Sequence, residues 1–386
     1  MQTNFVQIKN SHMAFKYFFS LLVVLYVITG CSSGPTTSNE IETTVLENFE
    51  TVISLEDNVL ATPTLIRKGI NSNLYIYDDA QTKILEVDNN GNVVNEFGQP
   101  GRGPGELLLV NNFFLTDNHL YIVDYIQYFI HQYNYNGQFL SSMDYGDKLG
   151  LPMAPAAPFS SSEIRPKDIN NQPFVTQDGN VMLSNAKFSD SVQYIYELID
   201  WNGNHISEIG TVPEGSTFVI DNEKLQSDVS DRVVPSLYRS NVFVINDNSN
   251  LNEYFLVYSA LPKISKYNSS GENLWTVEIP KTQELDSLTT NFFEIMERLQ
   301  QADPRNRIDL KYYTSGISNS NGELFLITNT NPAWIHHFNA VGSLIHRYKL
   351  ISEDVEIKPI FDIDFEQKRI LVVTEDAEIR SYPFLN

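Results

Sequence analysis

Leu74-Tyr75-Ile76-Tyr77-Asp78 is followed by Lys83-Ile84-Leu85-Glu86-Val87-Asp88, then Asn89-Asn90-Gly91-Asn92, then Val93 to Gly98. Short runs rich in β-branched and aromatic residues, joined through an Asn-Gly turn, read as adjacent antiparallel strands. The glycine supplies the positive φ that a tight hairpin demands. The unit returns four times. Its copies are Leu120 to Asp124, Phe129 to Asn134 and Asn136-Gly137; Val181 to Asn185, Gln193 to Asp200 and Asn202-Gly203; Tyr254 to Tyr258, Lys263 to Asn268 and Ser270-Gly271; and Leu324 to Thr328, Trp334 to Asn339 and Val341-Gly342. From strand start to turn glycine the spacing is 17, 17, 22, 17 and 18 residues, a period too regular for unrelated loops. One more strand precedes each copy: near Thr64 to Lys68, then Phe113 to Asp117, Phe174 to Asp178, Val242 to Asp247 and Thr314 to Asn319. Each unit is therefore a four-stranded antiparallel meander, the size of a propeller blade.

A sixth copy, Ile360 to Phe365, Ile370 to Thr374 and Glu378 to Phe384, is one strand short. The segment Thr43 to Leu55 alternates acceptably and would supply that strand, which closes the ring and removes its open edge. The expected fold is all-β: a six-bladed β-propeller over residues 43–386, closed by an N-terminal strand, with one short helical insertion. A solenoid would need capping units and leaves the missing strand unexplained.

Residues 74 to 106 continue through Phe97-Gly98-Gln99-Pro100-Gly101-Arg102-Gly103-Pro104-Gly105-Glu106. This stretch resembles an NHL-type propeller repeat. More closely, it is similar to the six-bladed β-propeller lipoproteins of Bacteroidota, whose first blade often ends in a like Gly-Pro-Gly-Glu loop. The resemblance implies the fold and an envelope address, and it carries no particular activity.

Composition agrees with one large β domain. The chain has 386 residues, 12% aromatic and 19% charged, with 26 Lys+Arg against 48 Asp+Glu. A net charge of −22 leaves no basic excess to displace counterions from a phosphate backbone, which excludes a nucleic-acid binder. The single cysteine, Cys31, excludes an intramolecular disulfide. Lys16 precedes the apolar run Tyr17 to Ile28, short for a membrane span and right for a signal-peptide core. The run ends Ile28-Thr29-Gly30-Cys31, which resembles a bacterial lipobox. Residues 1–30 are thus expected to be a lipoprotein signal peptide, Cys31 the lipidated residue and residues 31–42 a flexible tether. Loss of residues 1–30 removes Lys9, Lys16 and no acid, so the mature net charge becomes −24. The first acid after Cys31 is Glu40. Bacteroidota-type lipoproteins sent to the surface usually carry an acidic run just after the cysteine, so the resemblance implies an outer-membrane lipoprotein facing the periplasm, expected to be a monomer that meets the membrane through its anchor alone.

In a meander blade, the second-to-third turns and the inter-blade connections share one face. Here the long inter-blade segments Gln99–Val110, Gly146–Gln172, Thr211–Arg239 and Pro280–Tyr312 all fall there. The third-to-fourth turns on the other face are trimmed to glycine hairpins. Long connections in a compact domain are usually functional or disordered. Pro280–Tyr312 is expected to hold the helix, with Asn291 and Glu294 as a cap and Phe292, Phe293, Ile295, Met296 and Leu299 as its apolar stripe.

Candidate ligand-binding residues on this face are Arg102, Glu106, Tyr125, Tyr128, Arg165, Arg232, Tyr238, Arg239 and Arg305, an aromatic and cationic rim suited to an acidic or sugar-like ligand. The glycine-rich loop lacks the Gly-Lys-Ser/Thr of a phosphate cradle and reads as a sharp chain passage. His131 and His336 occupy equivalent third-strand positions in opposite blades and cannot share an ion. Asp78 and Asp124, with Asn185 nearby in register, end second strands. Such oxygen ligands suit calcium, and the competing reading has each accepting backbone hydrogen bonds. No catalytic constellation follows from spacing. The leading expectation is a binding or scaffolding propeller for an envelope protein, peptide or glycan, without a cofactor. The alternative is an NHL- or lactonase-like hydrolase or lyase with a divalent metal in the channel.

Overall fold

Six blades form the ring, each a consequence of the repeated pattern. A computed structural model of the chain describes residues 41–54, 59–69, 71–149, 171–184, 192–218 and 220–384. From Glu42 onward the chain is one compact unit. Blades one to five occupy residues 63–97, 110–144, 174–211, 242–278 and 313–350, each four antiparallel strands in chain order. Blade six takes three strands from residues 357–383.

The N-terminal segment makes two strands, where a single closing strand was expected. Strand β2 (Glu50–Ile53) pairs antiparallel with Ile379–Pro383 and completes blade six, as ring closure requires. Strand β1 (Glu42–Leu46) instead lies parallel on the outer strand of blade five, Leu344–Leu350, with Glu42 opposite His346 and Leu46 opposite Leu350. Blade five therefore has five strands.

The core runs as apolar seams between neighbouring blades. Ile53 and Ile66 pack with Leu85 and Val373 across the closure, and Phe97, Phe113 and Ile122 fill the seam between blades one and two. Each such fully buried side chain contributes about 1.5–3 kcal/mol. The hairpin turns lock neighbouring blades in register. Gly271 takes φ 87°, and a Cβ there would lie 2.3 Å from the Glu208 carbonyl oxygen on blade three. Only glycine fits both the conformation and the approach.

The helical content departs from expectation. Three helices occur among the described residues: α1 (Tyr145–Leu149), α2 (Asn222–Ser230) and α3 (Gln283–Ala302). Helix α3 has 20 residues and starts after Thr282, well before the expected cap at Asn291. Its first turns are rich in hydroxyls, which usually oppose helix. Here Ser287, Thr289 and Thr290 donate back to the carbonyls of Gln283, Leu285 and Asp286, so the hydroxyls are satisfied inside the helix. Glu284 and Asp286 sit in the first turn, where the helix dipole favours negative charge.

Candidate functional site

Among the described residues, the inter-blade connections after blades three and four, 211–239 and 280–312, emerge on one face, as the meander topology dictates. Helices α2 and α3 and the 3-10 turn Ser236–Tyr238 build a packed lid there, over blades four and five. Phe292 stands edge-on to Tyr238 at 6.1 Å and to Phe293 at 5.1 Å. Met296 is fully buried, and its Sδ accepts from the Ile308 amide. Thr289 bonds the Tyr312 hydroxyl at 2.9 Å, fixing the helix over the start of blade five. Of the expected stripe, Phe292, Phe293 and Met296 are buried, while Ile295 is exposed. The outward side of α3 is polar. Lys281, Gln283, Asp286, Ser287, Thr290 and Asn291 line a shallow cavity of about 620 Å³.

The individual rim candidates have mostly local duties. Glu106 folds back into its own loop, accepting from the Gly103 amide at 2.6 Å and from Gln99 at 3.0 Å. The Gly103 amide holds that carboxyl below its usual range. A Cβ on Gly101 would meet Glu106 Oε2 at 2.0 Å, so the glycine-rich loop is a structural buckle. Arg102 is exposed at its tip. Tyr125 is half-buried. Tyr128 and Tyr238, expected on the rim, are only 5% and 2% exposed, because Tyr145 and Phe292 pack on their rings. Arg232 faces Glu297 at 3.5 Å, and Arg239 donates to the carbonyls of Val234 and Glu214. Arg305 forks onto Asp303 at 2.8–3.3 Å. Among the described rim candidates, two tyrosines are interior and three of the arginines hold neighbouring chain. Arg165, Asn185 and Cys31 lie outside the described residues.

For Asp78 and Asp124 the geometry matches the backbone-acceptor reading. Asp78 accepts from the amides of Ala61, Thr62 and Gln81 at 2.6–3.1 Å. Asp124 accepts from those of Leu108, Ile126 and Gln127 at 2.6–3.0 Å. Both carboxylates are fully buried and tie the second-to-third turn to the incoming inter-blade connection. Their oxygens are occupied by amides and not turned toward a shared ion. Among the described residues, no group of three or more His, Cys, Asp or Glu side chains could hold a metal.

A polar cluster invisible to spacing arguments lies under the lid. His336, on the third strand of blade five, has no solvent exposure. Its Nε2 lies 2.7 Å from Glu284 Oε1, and its Nδ1 lies 2.7 Å from the Tyr313 hydroxyl. Arg347 Nη1 approaches both Glu284 oxygens at 3.3 and 3.4 Å. Burial would raise the Glu284 carboxyl, but the His336 hydrogen bond and its companions outweigh it and hold the group at about 2. Burial lowers His336, so the imidazole is neutral near pH 7. A neutral ring donates from Nε2 to Glu284 and accepts at Nδ1 from Tyr313, whose hydroxyl burial keeps protonated. The cluster docks the first turn of α3 onto blade five. Glu284, His336 and Tyr313 are buried, while Arg347 keeps partial contact with solvent. His131, the equivalent residue in blade two, is also buried and bonds Ser142 at 2.8 Å.

The model of the six-bladed beta-propeller family DUF5128 matches residues 43–297. A crystal structure of a candidate exported protein from Bacteroides fragilis aligns at a TM-score of 0.52 and 16% identity, over 89% of this chain and all of that one. A gluconolactonase of Xanthomonas campestris aligns at 0.46 and 9% identity, over 87% and 89% of the two chains. Virginiamycin B lyase of Staphylococcus aureus aligns at 0.44 and 10% identity, over 87% and 88%. At 16% identity the likeness to the exported protein is one of fold. No curated protein matches the sequence. Among the described residues no helix is long and apolar enough to cross a membrane.

Proposed function

The chain belongs to the six-bladed beta-propeller family, and from that premise we propose that it is an envelope-anchored binding propeller. In this reading lipid on Cys31 holds it at the outer membrane, facing the periplasm, and the loop-rich face recognises an envelope protein, peptide or glycan. One observation carries the reading: the inter-blade connections of a single face are elaborated into a packed lid with a polar outer groove, while the opposite turns are minimal hairpins. Selection for stability alone gives no reason to lengthen one face and trim the other. The groove offers hydroxyls, amides, one ammonium and one carboxylate, donors and acceptors that suit peptide backbone or sugar hydroxyls.

The test is retention from envelope extract by immobilised mature protein. A variant carrying Asp286→Arg, Thr290→Arg and Asn291→Arg changes the groove's charge and shape without touching the helix's buried side. Partners held by the wild type and lost by this variant support the reading. Equal retention by both proteins overturns it.

A further inference from the structure

Arg347, on the outer strand of blade five, donates in two directions. Nη1 faces the Glu284 carboxylate of α3, and Nη2 donates to Thr43 Oγ1 of β1 at 3.0 Å. The Trp334 ring lies 5.4 Å from the guanidinium carbon and supports its plane. A guanidinium presents its donors in a fixed fork, so displacing one partner reorients the donor offered to the other.

Strand β1 is an addition to a blade that already has four strands, and β2 closes the ring without it. Its hold is mostly polar: Thr44 Oγ1 meets His346 Nε2 at 2.8 Å, His346 Nδ1 lies 3.6 Å from Glu42, and Leu46 is its one buried side chain. Edge elements with few apolar contacts open first. Running parallel to the outer strand, β1 starts toward the hairpin face and climbs toward the lid. Glu42 thus lies toward the side opposite the lid and Leu46 toward the lid.

We propose that β1 is a strap, and that Arg347 is the positioning residue coupling its seating to the docking of helix α3. With Thr43 in place, the fork is fixed and Nη1 is aimed at Glu284. When β1 lifts, Arg347 gains freedom and solvent, its hold on Glu284 weakens, and the lid loosens. Linkage is reciprocal, so loosening the lid loosens the strap by the same factor. The consequence for ligand capture rests on the loop-rich face being the binding face. The coupling itself is internal to the chain.

Amide hydrogen exchange on the full chain tests it without any partner. Thr43→Val, near-isosteric, should raise exchange across residues 285–300 by about fivefold or more, the lower bound of ordinary coupling, while blades one to three stay unchanged. Glu284→Gln should raise exchange at residues 42–46. In an Arg347→Lys background, Thr43→Val should add nothing further at the helix. Faster exchange at 42–46 in Thr43→Val with unaltered helix protection would overturn the coupling, as would a loosened helix in Glu284→Gln with residues 42–46 unaffected. Extract retention reports separately on the binding face, so the two claims fail independently.

Discussion

The Glu284 carboxylate and the His336 imidazole, 52 residues apart in sequence, meet at 2.7 Å with both side chains buried. This contact fixes the lid helix to blade five. Arg347 supplies the charge that a lone buried carboxylate would lack, and Tyr313 completes the imidazole's hydrogen bonding. Removing Glu284 leaves a partly buried guanidinium unpaired and His336 Nε2 without an acceptor. Glu284→Ala is therefore expected to lower unfolding stability by about 3 kcal/mol, in the range for breaking buried pairs. Urea melts monitored by Trp fluorescence measure this, and Glu284→Gln should lose less because it still accepts from His336.

The same carboxylate predicts acid sensitivity. Its folded value, about 2, is below the ordinary 4.5, so its contribution is present above pH 4.5 and is lost as pH falls toward 2. Asp362 acts in the opposite sense. Burial between blades six and one raises it to about 6 from 3.8, against the pull of Arg67. The folded state binds the extra proton between those values, so stability falls as pH rises from 3.8 to 6, by about 3 kcal/mol at most. Asp362→Asn should flatten the stability profile across this window. Its own penalty is the loss of one of two acceptors, since the amides of Lys68 and Ile363 bond different carboxylate oxygens.

Hairpin geometry gives a prediction at Gly271. Alanine there must hold φ near 87° with its methyl 2.3 Å from the Glu208 carbonyl. Gly271→Ala should cost about 1–3 kcal/mol by chemical denaturation, although the side chain gains only one carbon.

Ring closure gives another. Ile53 is fully buried in β2 against Leu371 and Ile379. Ile53→Ala should destabilise by about 2–5 kcal/mol, and the loss should appear as a lower cooperative midpoint, because the seam holds both ends of the ring.

Structure that depends on near neighbours is the most legible in this sequence. Glycine-marked hairpins and alternating strands depend on neighbours a few residues away, so the blades from Leu74, Leu120, Tyr254 and Leu324 stood out at nearly constant spacing. The need for a closing strand was also legible, because Phe384 ends a blade one strand short. The division of Thr43–Leu55 between two blades was not legible, since β1 and β2 each carry plausible strand patterns and only blade five's free edge distinguishes them. Helix α3 began earlier than expected because Ser287, Thr289 and Thr290 look like loop until their hydroxyls are seen bonding back four residues. Tyr128 and Tyr238 had surface-loop addresses, yet neighbouring rings cover them. Glu284 gave no signal at all: its partners lie 52 and 63 residues away.

The central claim, that the lidded face is the binding face, is tested most directly by photo-crosslinking in intact cells. A photoreactive residue at Asp286 in the lid groove is compared with one at Asn136, in a hairpin of the opposite face. Discrete adducts from position 286 and none from position 136 are the predicted result. Adducts from position 136 alone, or the same adducts from both, would contradict it.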